Sequence, residues 1–306
     1  MNNVSIIVLA YMQQDFIGKA IEGVFKQKIN FPVELIICDD CSPDKTDEVI
    51  QKTISDAPQN ITVKYFRHPK NLGSTPNFYF ALKQVTGKYL AFCEGDDYWT
   101  DPNKLHLQLQ FLQENPAYSM CFHTAENISD DSDINGTLFF KVEDREYTPL
   151  EIYRHWIVHT ATVMMKTEVL QSPAKNTTMQ DDTLQYFDTV LFLAAGSIGK
   201  IRGMKQKMSC YRRHDAGLSA GKVNYKRDLK HNKLDAIIGE YYTGEIKKVA
   251  DWQIFSRSMA DFQTSFSAGK FQTTITFLPW LFRNKIIFYY FLKKIPAIKT
   301  LPKHDH

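Results

Sequence analysis

Acidic side chains follow two apolar runs in the first hundred residues, as Asp39-Asp40 and as Glu94-Gly95-Asp96-Asp97, and a third apolar run ends at Ala10-Tyr11. Carboxylate oxygens are preferred ligands of Mg²⁺ and Mn²⁺, which typically take one or two carboxylates together with substrate phosphates. Such a metal stabilises the charge that develops on a departing diphosphate. The alternative is an acidic surface turn. The position directly after a buried apolar run favours a functional site.

The apolar pattern of this region predicts alternating strands and helices. Near-continuous β-branched runs predict strands covered on both faces, and apolar residues at helical spacing predict amphipathic helices. The predicted strands are 4–10, 33–38, 62–67 and 89–93, and the predicted helices are 16–27, 47–55 and 76–84. This order implies a parallel sheet with right-handed crossovers. Because ligands bind beyond the carboxyl ends of such strands, the three clusters are expected to line one cleft.

The later pattern is less regular. A helix is predicted to open at Asp101-Pro102, where proline is tolerated early in a helix. The polar stretch 127–136 predicts a surface loop, and 147–169 gives no clear assignment. We further predict a helix over 185–195, a strand over 198–211 and helices from Tyr225 onward.

The acidic segment has a simple geometry if its backbone is extended. Side chains of an extended chain alternate faces, so Glu94 and Asp96 would point together and Asp97 away. Gly95 allows a turn and the close approach of a ligand. The four residues therefore cannot all serve one metal ion.

The order VSIIVLAY, VELIICDDCSPDKT, NLGSTPN and GKYLAFCEGDDYWTDPNKL resembles the motifs of the family 2 glycosyltransferases. The resemblance is strong over residues 4–112 and weak over 113–220. It implies an α/β fold of the GT-A type, with a Rossmann-like, mostly parallel central sheet flanked by helices. We expect a catalytic domain over 1–220, with a nucleotide-sugar half (1–112) and an acceptor half (113–220), and a helical C-terminal extension over 221–306.

The resemblance also implies an activity. It is inverting transfer of a sugar from a UDP-sugar to a glycan or lipid-linked acceptor in cell-surface polysaccharide synthesis, with Mn²⁺ or Mg²⁺. Ala10 and Tyr11 would border the nucleotide base, Asp39 would hydrogen-bond it, and Asp40 in the same nucleotide-binding segment would fix the turn.

The acidic segment takes its roles from the same resemblance. Asp96 and Asp97 match the carboxylates that bind the metal and the ribose-diphosphate, with Asp97 preferred as the metal ligand. Many members have Asp where this chain has Glu94, so the role of Glu94 stays open.

An inverting transfer also needs a carboxylate that accepts the proton of the acceptor hydroxyl. The candidates are Asp181, Asp182 and Asp188, and related sequences place an Asp at the start of a helix, which fits Asp188 and makes it preferred over Asp182. The non-catalytic alternative is a helix N-terminal Asp favoured by the helix dipole. Tyr211–His214 resembles a Tyr-Arg-x-His motif, in which Arg212 would bind diphosphate and His214 would join the metal shell. A basic solvated turn is the alternative.

Composition narrows the function classes. A net charge of +3 gives no basic field for nucleic acid. The five cysteines complete no zinc ligand set, which predicts reduced thiols and a cytoplasmic protein. The remaining central histidines are interpreted as ordinary half-buried side chains: His123, His155 and His159.

Residues 277–303 combine aromatic and basic side chains without an acidic one. That composition is typical of an interfacial helix on an anionic membrane surface, and it predicts peripheral attachment to the cytoplasmic face of the membrane. The alternatives are packing on the catalytic domain or a homodimer contact.

Two other functions stay open. A metal-dependent nucleotidyltransferase also uses carboxylates on an α/β sheet, but this chain has no Gly-rich phosphate loop followed by Lys near its first strand. A non-catalytic nucleotide-sugar-binding protein would bind UDP without turnover.

Overall fold

The computed structural model describes residues 3–129, 136–173, 175, 184, 186, 188–214 and 225–283. The strands are β1 Val4–Ala10, β2 Val33–Asp39, β3 Ile61–Arg67, β4 Tyr89–Phe92, β5 Tyr98–Trp99, β6 Tyr118–Ser129, β7 Glu146–Tyr147, β8 Met164–Lys166 and β9 Lys200–Arg213. The helices are α1 Ile17–Phe25, α2 Thr46–Ile54, α3 Ser74–Lys83, α4 Lys104–Glu114, α5 Pro149–His155, α6 Asp188–Ile198, α7 Tyr225–Tyr241, α8 Gly244–Ser267 and α9 Phe271–Phe282. Two short 3-10 helices span Thr160–Thr162 and Thr167–Gln171.

One sheet holds these nine strands, in the order β3-β2-β1-β4-β8-β6-β9-β5, with β7 paired to β9. Strands β3, β2, β1 and β4 are parallel, as predicted from the alternating pattern. Beyond β4 the sheet becomes mixed, because β8 runs antiparallel to both β4 and β6. The predicted α/β architecture with a mostly parallel centre flanked by helices is confirmed.

Strands β1 and β2 are covered on both faces, which explains their near-continuous apolar sequence. In β1, Ile7 packs into a core cluster with Phe78 on α3, while Val8 packs into a second cluster with Ile21 on α1. All four side chains are at most 1% exposed.

Two of the differences between predicted and observed element ends have a clear structural cause. The helix expected to open at Asp101-Pro102 begins at Lys104, because the Asp101 carboxylate accepts the backbone N–H of Asn103 at 2.8 Å and closes a turn. The loop predicted over 127–136 is wrong at its start, since β6 continues to Ser129. Ile128 is buried there and pairs with Arg212 of β9, so the ladder overrides local polarity. Residues 130–135 lie outside the described part of the chain.

Contacts divide the chain into two compact units. The first comprises Met1–Thr183 and Phe187–Gly221, and the second comprises Leu184–Tyr186 and Lys222–His306. The predicted 112/113 division falls inside the first unit. In the second unit, α7, α8 and α9 are helical, as expected for the C-terminal extension. Within the described residues, no helix has both the length and the hydropathy needed to cross a membrane.

An ion pair with a fully buried carboxylate stabilises the central sheet. The fully buried Glu34 carboxylate on β2 accepts hydrogen bonds from Lys64 Nζ at 2.7 Å, from Thr86 N at 2.7 Å and from the Ser5 hydroxyl. Burial acts to raise the pKa of Glu34, but these donors outweigh it and lower the pKa from 4.5 to about 2. The folded state therefore favours the charged carboxylate.

Replacing Glu34 with alanine is expected to lower the free energy of unfolding by about 3–5 kcal/mol, because it leaves buried donors without their acceptor. Urea denaturation measures this. The matched control is Glu22→Ala, which removes an exposed pair with Lys26 at 3.0 Å and is expected to cost less than about 1 kcal/mol. Equal losses in both variants would contradict the prediction.

The same site predicts a pH dependence. Because the folded pKa lies below the unfolded value, the stabilisation is present above about pH 4.5 and is lost as the pH falls toward 2. The stability difference between wild type and Glu34→Gln is therefore expected to shrink over that window. A difference that stays constant from pH 5 to pH 2 would show that ionisation of Glu34 is not its source.

Candidate active site

The carboxyl ends of β2, β1 and β4 lie side by side and carry the three clusters found in the sequence. Ala10 of β1 is in register with Asp39 of β2, and Asp40 N donates to Ala10 O at 2.9 Å. Gly95, beyond β4, donates its N–H to Leu9 O at 3.1 Å. The predicted convergence on one edge of the sheet is therefore seen.

Asp39 is fully buried beneath this edge. Its Oδ1 accepts the backbone N–H of Ser42 at 3.1 Å and also the Ser42 hydroxyl. Its Oδ2 lies 3.3 Å from Arg67 Nε but accepts no hydrogen bond from a described residue. One carboxylate oxygen is thus held in place with capacity to accept from a ligand.

The neighbouring residues Asp40 and Tyr11 differ in their surroundings: Asp40 is bonded to a loop, and Tyr11 is exposed. Both carboxylate oxygens of Asp40 accept backbone N–H groups, from Leu72 at 2.7 Å and from Gly73 at 2.8 Å. Asp40 therefore fixes the loop after β3. Tyr11 is 45% exposed at the mouth of the site, while Ala10 is buried below it.

The acidic segment forms a turn, with Asp97 N donating to Glu94 O at 3.0 Å. The expectation of an extended backbone with alternating side chains is therefore wrong, because Gly95 bends the chain directly after β4. In this turn the two aspartates are exposed to different extents: the Asp97 side chain is 1% exposed and that of Asp96 is 22% exposed. Asp96 is the more accessible carboxylate.

Asp97 is directed into the protein. Its Oδ1 accepts the backbone N–H of Arg212 at 2.8 Å, and its Oδ2 lies 3.4 Å from His159 Nε2. Burial, followed by the charge of Asp96, raises the pKa of Asp97. Its contacts tie the acidic turn to the end of β9.

Asp96 meets the basic segment predicted from the sequence. Its Oδ2 lies 3.0 Å from His214 Nε2, and its backbone carbonyl accepts from Arg212 Nε at 2.9 Å. The Arg212 guanidinium lies 4.5 Å from the centre of the Phe16 ring, and the residue is only 9% exposed. The structure therefore brings Arg212 and His214 to the acidic turn, with little of Arg212 exposed.

Asp188 begins α6 and lies near the acidic turn, since its partner Thr160 directly follows His159, which contacts Asp97. Its Oδ2 accepts the Thr160 hydroxyl at 3.1 Å, and the backbone N–H groups of Asp188 and Thr189 also lie close to the carboxylate. Burial raises the pKa of Asp188. Burial, followed by the charges of Asp96 and Asp188, raises the pKa of Glu94 to about 8. Asp182 lies outside the described residues.

Sequence reasoning missed His159 and Thr160 as site residues. Both come from the stretch 147–169, whose pattern gave no assignment, and the segment that carries Thr160 is a 3-10 helix too short for periodicity. The His159 ring centre lies 4.5 Å from that of Tyr211 and 5.1 Å from that of Phe139. Burial lowers the pKa of His159 to about 4, so the ring is neutral at pH 7. Only the fold could place it against Asp97.

The metal-ligating side chains at the acidic turn determine whether a divalent cation can bind there. No group of three metal-ligating side chains occurs within the described ranges. Asp96 and His214 nevertheless offer a carboxylate and an imidazole side by side at the cleft. Mg²⁺ commonly takes one or two carboxylates and completes its shell with substrate phosphates and water. The residues therefore fit a cation that is held jointly with a phosphate-bearing ligand.

Gly95 is expected to be indispensable to this turn. A Cβ at this position would lie 2.6 Å from Leu9 O and 2.1 Å from Gln13 Oε1, and the first of these is backbone that cannot rotate away. Gly95→Ala is therefore expected to destabilise the fold by about 1–3 kcal/mol and to displace the acidic turn. Thermal unfolding and nucleotide affinity measure the two effects. The control is Gly136→Ala, whose Cβ would meet nothing within 4 Å, although its φ of 73° adds some strain. A Gly95→Ala variant with wild-type stability and affinity would contradict the expectation.

Comparison with known proteins bears on the same region. The family model described as Glycosyl transferase family 2 matches residues 5–172. An uncharacterized protein of Mycobacterium tuberculosis is 32% identical over 217 residues, which cover 70% of this chain and 60% of the relative. The chain thus spans about 60% of the length of these mycobacterial relatives.

Two further proteins carry informative names. The Escherichia coli UDP-Glc:alpha-D-GlcNAc-diphosphoundecaprenol beta-1,3-glucosyltransferase WfaP is 36% identical over 118 residues, 39% of this chain and 44% of WfaP. S. aureus TarS, solved in complex with UDP-GlcNAc, superposes with a TM-score of 0.67 at 17% identity, covering 91% of this chain and 81% of that structure. At that identity the TarS likeness shows a shared fold.

Proposed function

This chain belongs to the family 2 glycosyltransferases, and we propose that it is an inverting enzyme that transfers a sugar from a UDP-sugar to a hydroxyl of a glycan or lipid-linked acceptor in cell-surface polysaccharide synthesis. One observation carries the proposal. The buried Asp188 carboxylate lies near the acidic turn, because Thr160 donates to its Oδ2 and the adjoining His159 lies 3.4 Å from Asp97. Such a carboxylate can accept the proton of an attacking hydroxyl.

The nucleotide would lie over the ends of β1 and β2. Asp39 Oδ2, which lies 3.3 Å from Arg67 Nε and accepts no hydrogen bond from a described residue, would accept the N3–H group of uracil, and the exposed Tyr11 ring offers a surface for the base. The names of WfaP and TarS, with UDP-Glc and bound UDP-GlcNAc, support a UDP-sugar donor. The Asp39 role is the one that the sequence resemblance implied.

Asp96 and His214 would hold Mn²⁺ or Mg²⁺ together with the donor diphosphate. When bound, that ion supplies a positive charge that stabilises the diphosphate as it leaves. We assign Asp97 to fixing the turn, although the sequence resemblance favoured it as the metal ligand, because its side chain is 1% exposed. Arg212 adds positive charge beside the turn through its contact with Asp96 O.

In the reaction, the acceptor oxygen forms a bond to the anomeric carbon while the bond from that carbon to the diphosphate oxygen breaks. Asp188 takes the hydroxyl proton, and UDP departs. Thr160 positions the Asp188 carboxylate by donating to Oδ2. The raised pKa of Asp188 makes it a stronger base than an exposed aspartate.

A screen of nucleotide-sugars tests the proposal. With Mn²⁺ or Mg²⁺ and a glycan or lipid-linked acceptor, we expect release of UDP from a UDP-sugar and formation of a glycoside of inverted anomeric configuration. Release of pyrophosphate from a nucleoside triphosphate and sugar phosphate would instead establish a nucleotidyltransferase. UDP binding without turnover of any donor would establish a non-catalytic binding protein.

The proposal includes the cellular compartment in which the reaction takes place. The five cysteines are free thiols, which suits the reducing cytoplasm, where we place the reaction. A lipid-linked acceptor would bring the enzyme to the cytoplasmic face of the membrane.

A further inference from the structure

A fully buried lysine is linked through two side chains to the 3-10 helix Thr160–Thr162. Lys104 is the first residue of α4 and is 0% exposed. Its Nζ donates to Gln108 Oε1 at 2.8 Å and lies 4.0 Å from the centre of the Trp99 ring. Burial lowers the pKa of Lys104 from 10.5 to about 7. Since an apolar side chain would avoid this loss of solvation, packing alone does not explain a lysine here.

Both contacts of Lys104 lead to the backbone of the 3-10 helix. Gln108 Nε2 donates to Thr162 O at 2.9 Å, and Trp99 Nε1 donates to Ala161 O at 3.0 Å. All five residues are buried. Two carbonyl groups of one short helix are therefore held by the two side chains that Lys104 contacts.

The lysine determines how the Gln108 amide is oriented. A lysine has only donors, whereas an amide side chain has an acceptor oxygen on one side and a donor NH₂ group on the other. Because the oxygen faces Lys104, the NH₂ group faces Thr162 O. Loss of the lysine would leave Gln108 Oε1 buried without its donor, which favours movement of the amide toward another partner and away from Thr162.

The 3-10 helix and the residue before it carry two side chains of the candidate active site. Thr160 donates to Asp188 Oδ2 at 3.1 Å, and His159 Nε2 lies 3.4 Å from Asp97 Oδ2. The Thr162 hydroxyl donates to His159 O at 2.6 Å, which closes the turn. A displacement of the Thr162 carbonyl would therefore also move Thr160.

We propose that Lys104 is a positioning residue for the sugar transfer. Through Gln108 and Trp99 it fixes the 3-10 helix, and the fixed helix holds Thr160 against Asp188. Lys104 itself is buried and does not meet the substrate. This inference rests on the proposed function, because it takes Asp188 as the group that accepts the proton. It gives a role to the lysine of the segment DPNKL at residues 101–105, which the proposed function leaves without one.

Lys104→Met tests the proposal, because methionine keeps an unbranched side chain of similar length but has no donor. We expect kcat to fall about threefold to tenfold, while KM for the donor sugar nucleotide stays within about twofold of wild type. In a Thr160→Val background the same substitution is expected to change kcat by less than about twofold, because its effect passes through Thr160. The control is Lys26→Met, which removes an exposed lysine paired with Glu22 and is expected to leave kcat unchanged.

A second variant keeps the test independent of how well Lys104→Met folds. Gln108→Glu retains an acceptor for Lys104 but removes the donor to Thr162 O, and it is expected to lower kcat by a similar factor. Wild-type kcat in both variants would overturn the proposal. So would a loss in Lys104→Met that is as large in the Thr160→Val background as in wild type, since a merely structural lysine gives additive losses.

A crystal structure of Lys104→Met separates this proposal from the proposed function. We expect the distance from Thr160 Oγ1 to Asp188 Oδ2 to exceed about 3.5 Å, beyond hydrogen-bond range. A distance that stays at 3.1 Å would overturn the positioning role even if the wild-type chain transfers sugar. A lengthened distance in a chain whose wild type transfers no sugar would support the link from Lys104 to Asp188 and reject the proposed function.

Discussion

Asp188→Asn is expected to lower the rate of sugar transfer by about 10²–10⁴-fold, while the affinity for UDP stays close to that of wild type. Asparagine preserves the shape of the side chain and can still meet Thr160, but it cannot take a proton from the acceptor hydroxyl. The loss should therefore fall on kcat. Steady-state UDP release measures the rate, and calorimetry with UDP and Mn²⁺ measures the affinity.

Two matched variants sharpen this test. Asp182→Asn removes the other carboxylate that the sequence put forward and is expected to keep most of the activity. Thr160→Val removes the hydroxyl that positions Asp188 and is expected to reduce kcat by a smaller factor, about tenfold, which corresponds to about 1.4 kcal/mol. Full activity in Asp188→Asn together with its loss in Asp182→Asn would transfer the base role to Asp182.

Asp96→Asn is expected to remove the metal-dependent part of UDP affinity and to lower the transfer rate by about 10²–10³-fold. Asp96 is the accessible carboxylate of the acidic turn and already contacts His214 at 3.0 Å. Electron paramagnetic resonance of Mn²⁺ in the presence of UDP measures the bound metal directly. That signal is informative even where activity is too low to measure.

Asp97→Asn provides the contrast. Its carboxylate accepts the Arg212 backbone N–H in the interior, so we expect a loss of about 1–3 kcal/mol in the free energy of unfolding. The signal of Mn²⁺ bound in the presence of UDP should persist in the folded fraction of the Asp97→Asn variant. If Asp97→Asn abolished the Mn²⁺ signal at an unchanged melting temperature while Asp96→Asn retained it, Asp97 would be the ligand, as the sequence resemblance implied.

Much of the fold could be predicted because its central strands are buried on both faces. The runs at Val4–Ala10 and Val33–Asp39 leave few alternatives to parallel strands, and their ends necessarily meet at one edge of a sheet. Strand β6 was not predicted from the sequence, and its last residues were assigned to a loop. The polar residues after Ala125 resemble a loop, and only pairing with β9 shows that they continue the ladder.

The sequence located the site residues that directly follow strands. It did not locate those that lie in irregular segments, and it did not show how the turn orients them. The acidic segment was located from its position after β4, but the extended backbone assumed for it did not include the turn in which Asp97 is buried. His159 reaches Asp97 from a segment that precedes a 3-10 helix and has no periodic pattern. Contacts between segments that are far apart in sequence, such as Asp97 with Arg212, decide which carboxylate faces the cleft.

The most direct measurement is a crystal structure of this chain with UDP and Mn²⁺. We expect the uracil ring beside Tyr11 with N3 in hydrogen-bond reach of Asp39, the diphosphate over the acidic turn, and Mn²⁺ about 2.0–2.3 Å from an oxygen of Asp96, the range of oxygen ligands to small divalent cations. UDP bound away from the ends of β1, β2 and β4 would contradict the proposed nucleotide site. A metal that bridges the diphosphate without contacting Asp96 would contradict the proposed metal ligand.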